Sequence, residues 1–157
     1  MLSLLFDMNS LWEEYILTEI RKKLEHTVYD VSGQENKGFV SNNSLRPDIV
    51  IRNTETKEII IIDTKWKLPK NTANVSDLRQ MYTYARFWNA NKVMLLYPGN
   101  FSNNKFHKFK TEDFSLFGGE KIEINHQCKL GFVSVVDRNN LLDVNIADKV
   151  LELLGIN

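Results

Sequence analysis

A chain of 157 residues has the size of one domain, and its 43% hydrophobic and 25% charged residues exclude disorder as the main state. Twenty basic residues balance twenty acidic ones, so no overall field draws the chain onto nucleic acid and any such contact needs a local patch. A single cysteine, Cys128, excludes an internal disulfide, a thiolate zinc site and a four-cysteine iron–sulfur cluster, and it suits a reducing cytoplasm.

Met1–Phe6 is too short for a signal-peptide core and reads as a short strand or the cut end of a larger protein. No apolar run approaches the roughly 20 residues of a membrane span. The spacing of Leu11, Tyr15, Ile20 and Leu24 predicts a helix over Leu11–Leu24, with Ser10 and Glu13 at capping-box spacing. A strand around Thr27–Val31 and a polar, turn-rich stretch from Ser32 to Ser44 follow. Arg46–Arg52 and Glu58–Trp66, rich in Ile and Val, flank the polar turn Asn53–Lys57 and read as a hairpin.

A helix is expected over Ser76–Asn89, then a strand over Lys92–Tyr97 ended by Pro98-Gly99. Asn100–Gly119 reads as an irregular connection whose phenylalanines, Phe101, Phe106, Phe109, Phe114 and Phe117, belong to the core. Strands at Lys121–Asn125 and Leu130–Val136 and an amphipathic helix at Ile146–Leu154 complete a single α/β domain, a small mixed sheet flanked by helices.

The hairpin holds the chemistry. With its turn centred between Glu55 and Thr56, residues whose numbers sum to 111 face each other, so Asp48 falls opposite Asp63 and Arg46 opposite Lys65. Cβ atoms of such pairs lie roughly 4.5–5.5 Å apart, and the strand period of two puts Lys65 on the face of Asp63. Both carboxylates interrupt apolar runs, where unpaired charge is costly. Two such groups in one buried site raise the pKa of at least one of them, and a divalent cation removes the conflict. Mg²⁺ favours one or two carboxylates plus phosphate and water. It would polarise a phosphodiester and activate water, with Lys65 stabilising charge at the phosphate. The competing reading of the same three residues is a salt-bridged surface face.

Arg46-Pro47-Asp48 followed by Asp63-Thr64-Lys65, fifteen residues from the first Asp to the second, resembles the PD-(D/E)xK nuclease motif. Gln80-x-x-x-Tyr84 resembles the additional motif of RecB-like nucleases, and Val93–Pro98 follows as a strand. Upstream, Asp7–Glu13 resembles the helix that leads into such domains. The whole arrangement, from Phe6 to Pro98, resembles the nuclease domain of the McrC family, the cleaving subunits of McrBC methylation-dependent restriction systems. No motif is found beyond Asn100.

The resemblance implies a PD-(D/E)xK restriction-endonuclease-like core and a Mg²⁺-dependent endonuclease acting on DNA, with Mn²⁺ a substitute. It implies Asp48, Asp63 and the main-chain carbonyl of Thr64 as metal ligands and Lys65 as the catalytic lysine. Glu13 matches an acidic residue from the first helix acting through water, the alternative being its capping box with Ser10; Glu14 is the weaker candidate. Gln80 and Tyr84 lie at i,i+4 beside a stripe of Leu78, Met81, Tyr82, Ala85 and Trp88, which leaves them free to reach the site or a DNA strand. A GTP-driven, McrB-like motor subunit is the implied partner, and dimerisation is implied for double-strand cleavage. The family's larger N-terminal portion has no counterpart here, so the chain reads as an excised domain or a short member. Without a GxxxxGK[ST] loop it should not hydrolyse GTP itself. The alternatives are a RecB-like exonuclease, against whose iron–sulfur members the lone cysteine counts, and a non-catalytic module that binds DNA or caps a motor.

Overall fold

The computed structural model describes residues 7–67, 73–110 and 124–157. Helix α1 spans Met8–Leu24 and is capped by Asp7, whose carboxylate accepts from the amides of Asn9 and Ser10. Ser10, the expected cap, instead donates its hydroxyl to Asp7. This start turns Trp12, Ile16, Leu17, Ile20 and Leu24 inward and leaves Leu11 exposed, a correction to the expected stripe. Arg21, Lys22 and Lys23 in the last turn complement the helix dipole.

Strand β1 (Tyr29–Gly33) pairs antiparallel with β4 (Ile49–Asn53), and β4 with β5 (Ile59–Thr64). Between β1 and β4 the chain forms a small separate hairpin, β2 (Lys37–Val40) with β3 (Asn43–Leu45), where sequence analysis expects only turns. Helix α2 (Val75–Trp88) is capped by Asn74 and stops at Asn89, which adopts the left-handed conformation at φ 50°. Strand β6 (Lys92–Pro98) then runs parallel to β5. A two-residue β7 (His107–Lys108) lies within the expected irregular connection, and β8 (Gln127–Val133) runs parallel to β6. Helix α3 (Ile146–Leu154) has its expected bounds. Among the described residues the main sheet is six-stranded and mixed, in the order β1-β4-β5-β6-β8-β7.

The central strands are buried on both faces, which is why β5 reads as an unbroken run of isoleucines. Ile49, Ile51, Ile60, Ile62, Met94 and Leu96 pack against α1 and α3. Val50, Ile61, Val93, Leu95 and Tyr97 pack against α2 on the other face. Phe101 is 54% exposed rather than part of this core. The expected strand over Lys121–Asn125 is absent at Asn125, and residues 121–123 lie outside the described residues, as do Met1–Phe6, Phe114 and Phe117. No described helix is long and apolar enough to cross a membrane.

Candidate active site

The β4–β5 ladder has the expected register, with Ile49 opposite Ile62 and Arg52 opposite Ile59. Asn53 fixes its turn by accepting from the amides of Glu55 and Thr56. The ladder ends at Ile49 because Pro47, lacking an N–H, cannot extend it. Neither Asp48 with Asp63 nor Arg46 with Lys65 therefore forms a ladder pair, contrary to expectation.

Beyond the last rung, Asp48 takes over with its side chain. Its Oδ2 accepts from the Thr64 amide at 2.7 Å and the Thr64 hydroxyl at 2.9 Å. The Thr64 amide thus faces the β4 side, and in an extended strand a residue's N–H and C=O leave by the same edge. The neighbouring Lys65 amide points the other way, to the Leu96 carbonyl on β6 at 2.9 Å. The Thr64 carbonyl, the expected main-chain ligand, accordingly lies on the edge that carries Asp48.

Asp63 is 2% exposed at the end of an isoleucine strand. Burial, and then the charge of Asp48, push its carboxyl up to about 6, against the opposing pull of Lys65. The Lys65 ammonium lies 2.5 Å from Asp63 Oδ2. Among the described residues Lys65 is the one basic group that meets this buried oxygen. Burial opposes the charge on Lys65, yet the Asp63 carboxylate keeps its pKa above the ordinary lysine value.

Helix α2 closes the site. Gln80 accepts from Lys65 Nζ at 3.2 Å and donates to the Tyr84 hydroxyl at 2.9 Å. Tyr84 in turn donates to the Arg46 carbonyl at 3.1 Å. Of the two expected destinations, the site or a DNA strand, Tyr84 takes the first: it is 3% exposed within the α2 core rather than outside the apolar stripe, and the exposed tyrosine is Tyr82, which rests on Phe109. Burial, followed by the charge of Asp63, raises the Tyr84 pKa above the usual phenol range. Asp77, to which sequence analysis gives no role, sits one turn before Gln80, where its carboxylate accepts from Lys67 at 2.6 Å. Only its place in the stretch ending in Gln80-x-x-x-Tyr84 could have flagged it.

Helix α1 brings the third acid. The Asn9 carboxamide accepts from the Trp66 amide at 3.2 Å, and Trp12 meets Trp66 edge-on at 5.8 Å, so α1 is latched to the segment just past Lys65. Glu13 is half-buried and accepts from Gln34 Nε2. Burial raises its pKa, the Gln34 bond opposes this, and the charge of Asp48 adds to the rise. With Asp7 as the cap, Glu13 has no capping role. Glu14 is exposed and bonded to Thr18.

Asp48, Asp63, Lys65, Gln80 and Glu13 therefore converge at one end of β4 and β5, with Tyr84 behind them. A cation fits this donor set. A buried carboxylate met by a single ammonium stands beside a second carboxylate whose Oδ1 accepts no bond from a described residue. Protein groups alone do not form a closed cage: no group of three or more His, Cys, Asp or Glu residues among the described ones is arranged to hold a metal. Water or a substrate oxygen would have to complete the coordination of an ion such as Mg²⁺.

No curated protein matches the chain. Among solved structures, it resembles a chain in an assembly of Thermococcus gammatolerans McrB AAA+ hexamers with bound McrC, at a TM-score of 0.63 and 18% identity. The match covers 95% of this chain but 33% of that one, so the protein spans a third of the length of the chain it matches. The McrBC 5-methylcytosine restriction system component family matches residues 1–98, more than half of the sequence, and the chain belongs to that family.

Proposed function

We propose that this chain is the DNA-cleaving module of a McrC-type protein, with a PD-(D/E)xK core and Mg²⁺ or Mn²⁺ held by Asp48, Asp63 and the Thr64 carbonyl. The observation that carries the reading is the Asp63 carboxylate, 2% exposed at the end of an isoleucine strand, with Asp48 fixed on the neighbouring Thr64 and Lys65 against it. A divalent ion bound there supplies Lewis-acid activation of a phosphodiester and of water. The protein's own groups do the rest. Lys65 leaves Asp63 for the phosphate and stabilises charge growing on its oxygens. Gln80 holds the ammonium from the helix side, and Tyr84 fixes Gln80 against the Arg46 backbone. Glu13 orients water from the α1 side.

The proposed partners are DNA and a GTP-driven, McrB-like motor in the cytoplasm, with two copies of the module needed to cut both strands. Recognition of methylated cytosine is assigned to the partner subunits.

The test combines calorimetric Mn²⁺ binding with cleavage of closed circular DNA in Mg²⁺. Asp63→Asn should lose both, whereas Lys65→Ala should lose cleavage and keep the metal. Cleavage of a closed circle separates an endonuclease from a RecB-like exonuclease, which needs an end. One observation favours a module that binds without cutting: the Lys65 ammonium already neutralises Asp63. Absence of Mn²⁺ binding would support that second reading.

A further inference from the structure

Gln34 lies in the polar stretch after β1, yet it touches both acid-bearing segments outside β5. Its backbone N–H donates to the Asp48 carbonyl at 2.9 Å, extending the β1–β4 ladder by one rung. Its side-chain Nε2 donates to Glu13 Oε1 at 2.5 Å. One residue thus grips the main chain of Asp48 and the carboxylate of Glu13, which are 35 positions apart in sequence. It does so at φ 51°, a left-handed conformation that a residue with a β-carbon rarely adopts. Such strain persists only where the surroundings impose it.

The surroundings here are explicit. Glu35, the next residue, accepts two bonds from the Arg52 guanidinium on β4 and one from Trp88 Nε1 on α2 at 2.8 Å. The Gln34–Glu35 turn is thereby tied to α1, β4 and α2, the elements that carry or adjoin Glu13, Asp48 and Gln80. Glu35 looks toward Arg52 and Trp88, leaving Gln34 to face the acids.

We propose that Gln34 is a positioning residue of the metal site: it holds the Glu13 carboxylate at a fixed offset from Asp48, so that Glu13 serves as the outer ligand. This rests on the metal-site reading above. A glutamine carboxamide suits the task because it donates to a carboxylate without adding charge, whereas a lysine or arginine there would neutralise Glu13 and draw it away from a cation. Outer partners of this kind typically contribute about 10–100-fold in metal affinity.

The test is calorimetric Mn²⁺ binding with thermal unfolding as a second readout, on the full chain. Gln34→Asn keeps the backbone bond and tolerates the left-handed conformation better, but its shorter side chain cannot reach Glu13. Gln34→Gly removes the side chain and the strain together. Both variants should be at least as stable as the parent and bind Mn²⁺ about tenfold more weakly. The pair Gln34→Asn and Glu13→Gln should be non-additive, the first costing nothing once the second is present. Unchanged affinity in Gln34→Asn, or additive losses, overturns the inference alone, and a loss of stability without loss of affinity makes Gln34 merely structural. A parent chain that binds no Mn²⁺ overturns the metal-site reading and this inference with it.

Discussion

Two carboxylates in this fold each face a basic partner, and their electrostatics run in opposite directions. Glu35 is pulled down to about 2, chiefly by the Arg52 hydrogen bonds, which outweigh its burial, with Trp88 assisting. Asp63 is pushed up to about 6 although Lys65 lies 2.5 Å away. The difference is in what surrounds each charge. Glu35 is satisfied by a planar, two-pronged guanidinium and an indole N–H, a geometry that matches a carboxylate's lone pairs. Asp63 is sealed at the end of an isoleucine strand, has a second carboxylate near it, and meets a single ammonium. One cluster is electrostatically complete and serves the fold. The other sets two carboxylates, Asp48 and Asp63, against one ammonium, an excess of negative charge that a cation would balance.

Removing the acid from each cluster should therefore have opposite consequences. Asp63→Asn should lower DNA cleavage by at least about a hundredfold, while leaving the unfolding temperature at pH 7.5 unchanged or higher, because an unfavourable buried charge is gone. Retained cleavage, or a fall in stability, would contradict the contrast. Glu35→Gln should instead lower stability by about 2 kcal/mol, since it weakens the Arg52 fork and leaves the indole N–H poorly matched. Urea denaturation measures this directly, and no loss would mean that the clamp is ornamental.

The incomplete cluster was the more legible of the two in sequence, and for a physical reason. Apolar runs on either side of Asn53–Lys57 admit one register, because a slip of one residue would turn every side chain to the other face. That register puts Asp48 beside Asp63 and places Lys65 on the same face. Tyr84 was legible as a motif residue, but its burial was not. The stripe through Tyr82 and the stripe through Tyr84 share Met81, Ala85 and Trp88, so helix periodicity cannot choose between two tyrosines. What chooses is tertiary: the Arg46 carbonyl and Gln80 satisfy a buried hydroxyl at position 84. At the start of α1, Asp7 and Ser10 are equally good caps by type, and burial of Trp12 in place of Leu11 decides. Gln34 and Glu35 carry no periodic signal at all, because their partners Asp48, Arg52, Glu13 and Trp88 lie 14 to 53 positions away.

The same comparison predicts a pH profile with two limbs. Asp63 has a folded pKa above its unfolded value of 3.8, so its ionisation opposes folding at pH 7, and that penalty lifts as pH falls through about 6 toward 4. Glu13, also raised, acts in the same sense. Glu35, with a folded pKa of about 2 against an ordinary 4.5, stabilises fully above 4.5 and loses that contribution as pH falls toward 2. The metal-free chain should thus gain stability from pH 7 to 5 and lose it below about 4.5. Asp63→Asn should flatten the upper limb and Glu35→Gln the lower one, measured as urea midpoints across pH. Saturating Mn²⁺ should reverse the upper limb, since it stabilises the ionised form.

The smallest expected effect concerns the chain of contacts that joins the clusters' shared neighbour, α2, to Lys65. Tyr84→Phe deletes the bond to the Arg46 carbonyl and frees Gln80 Nε2, while the ring keeps its packing against Trp88 at 5.9 Å. One buried hydrogen bond is worth about 1 kcal/mol, so stability should fall by roughly that amount. If Tyr84 acts only through Gln80, turnover should fall by about tenfold, the rate equivalent of 1.4 kcal/mol, with little change in KM, because DNA contacts are untouched and only the placement of the Lys65 ammonium is loosened. A rise in KM with unchanged turnover would instead put Tyr84 on the DNA. Steady-state kinetics on Tyr84→Phe and Gln80→Ala, singly and together, separates the two: a relay through one hydrogen-bonded chain makes the double variant no worse than Gln80→Ala.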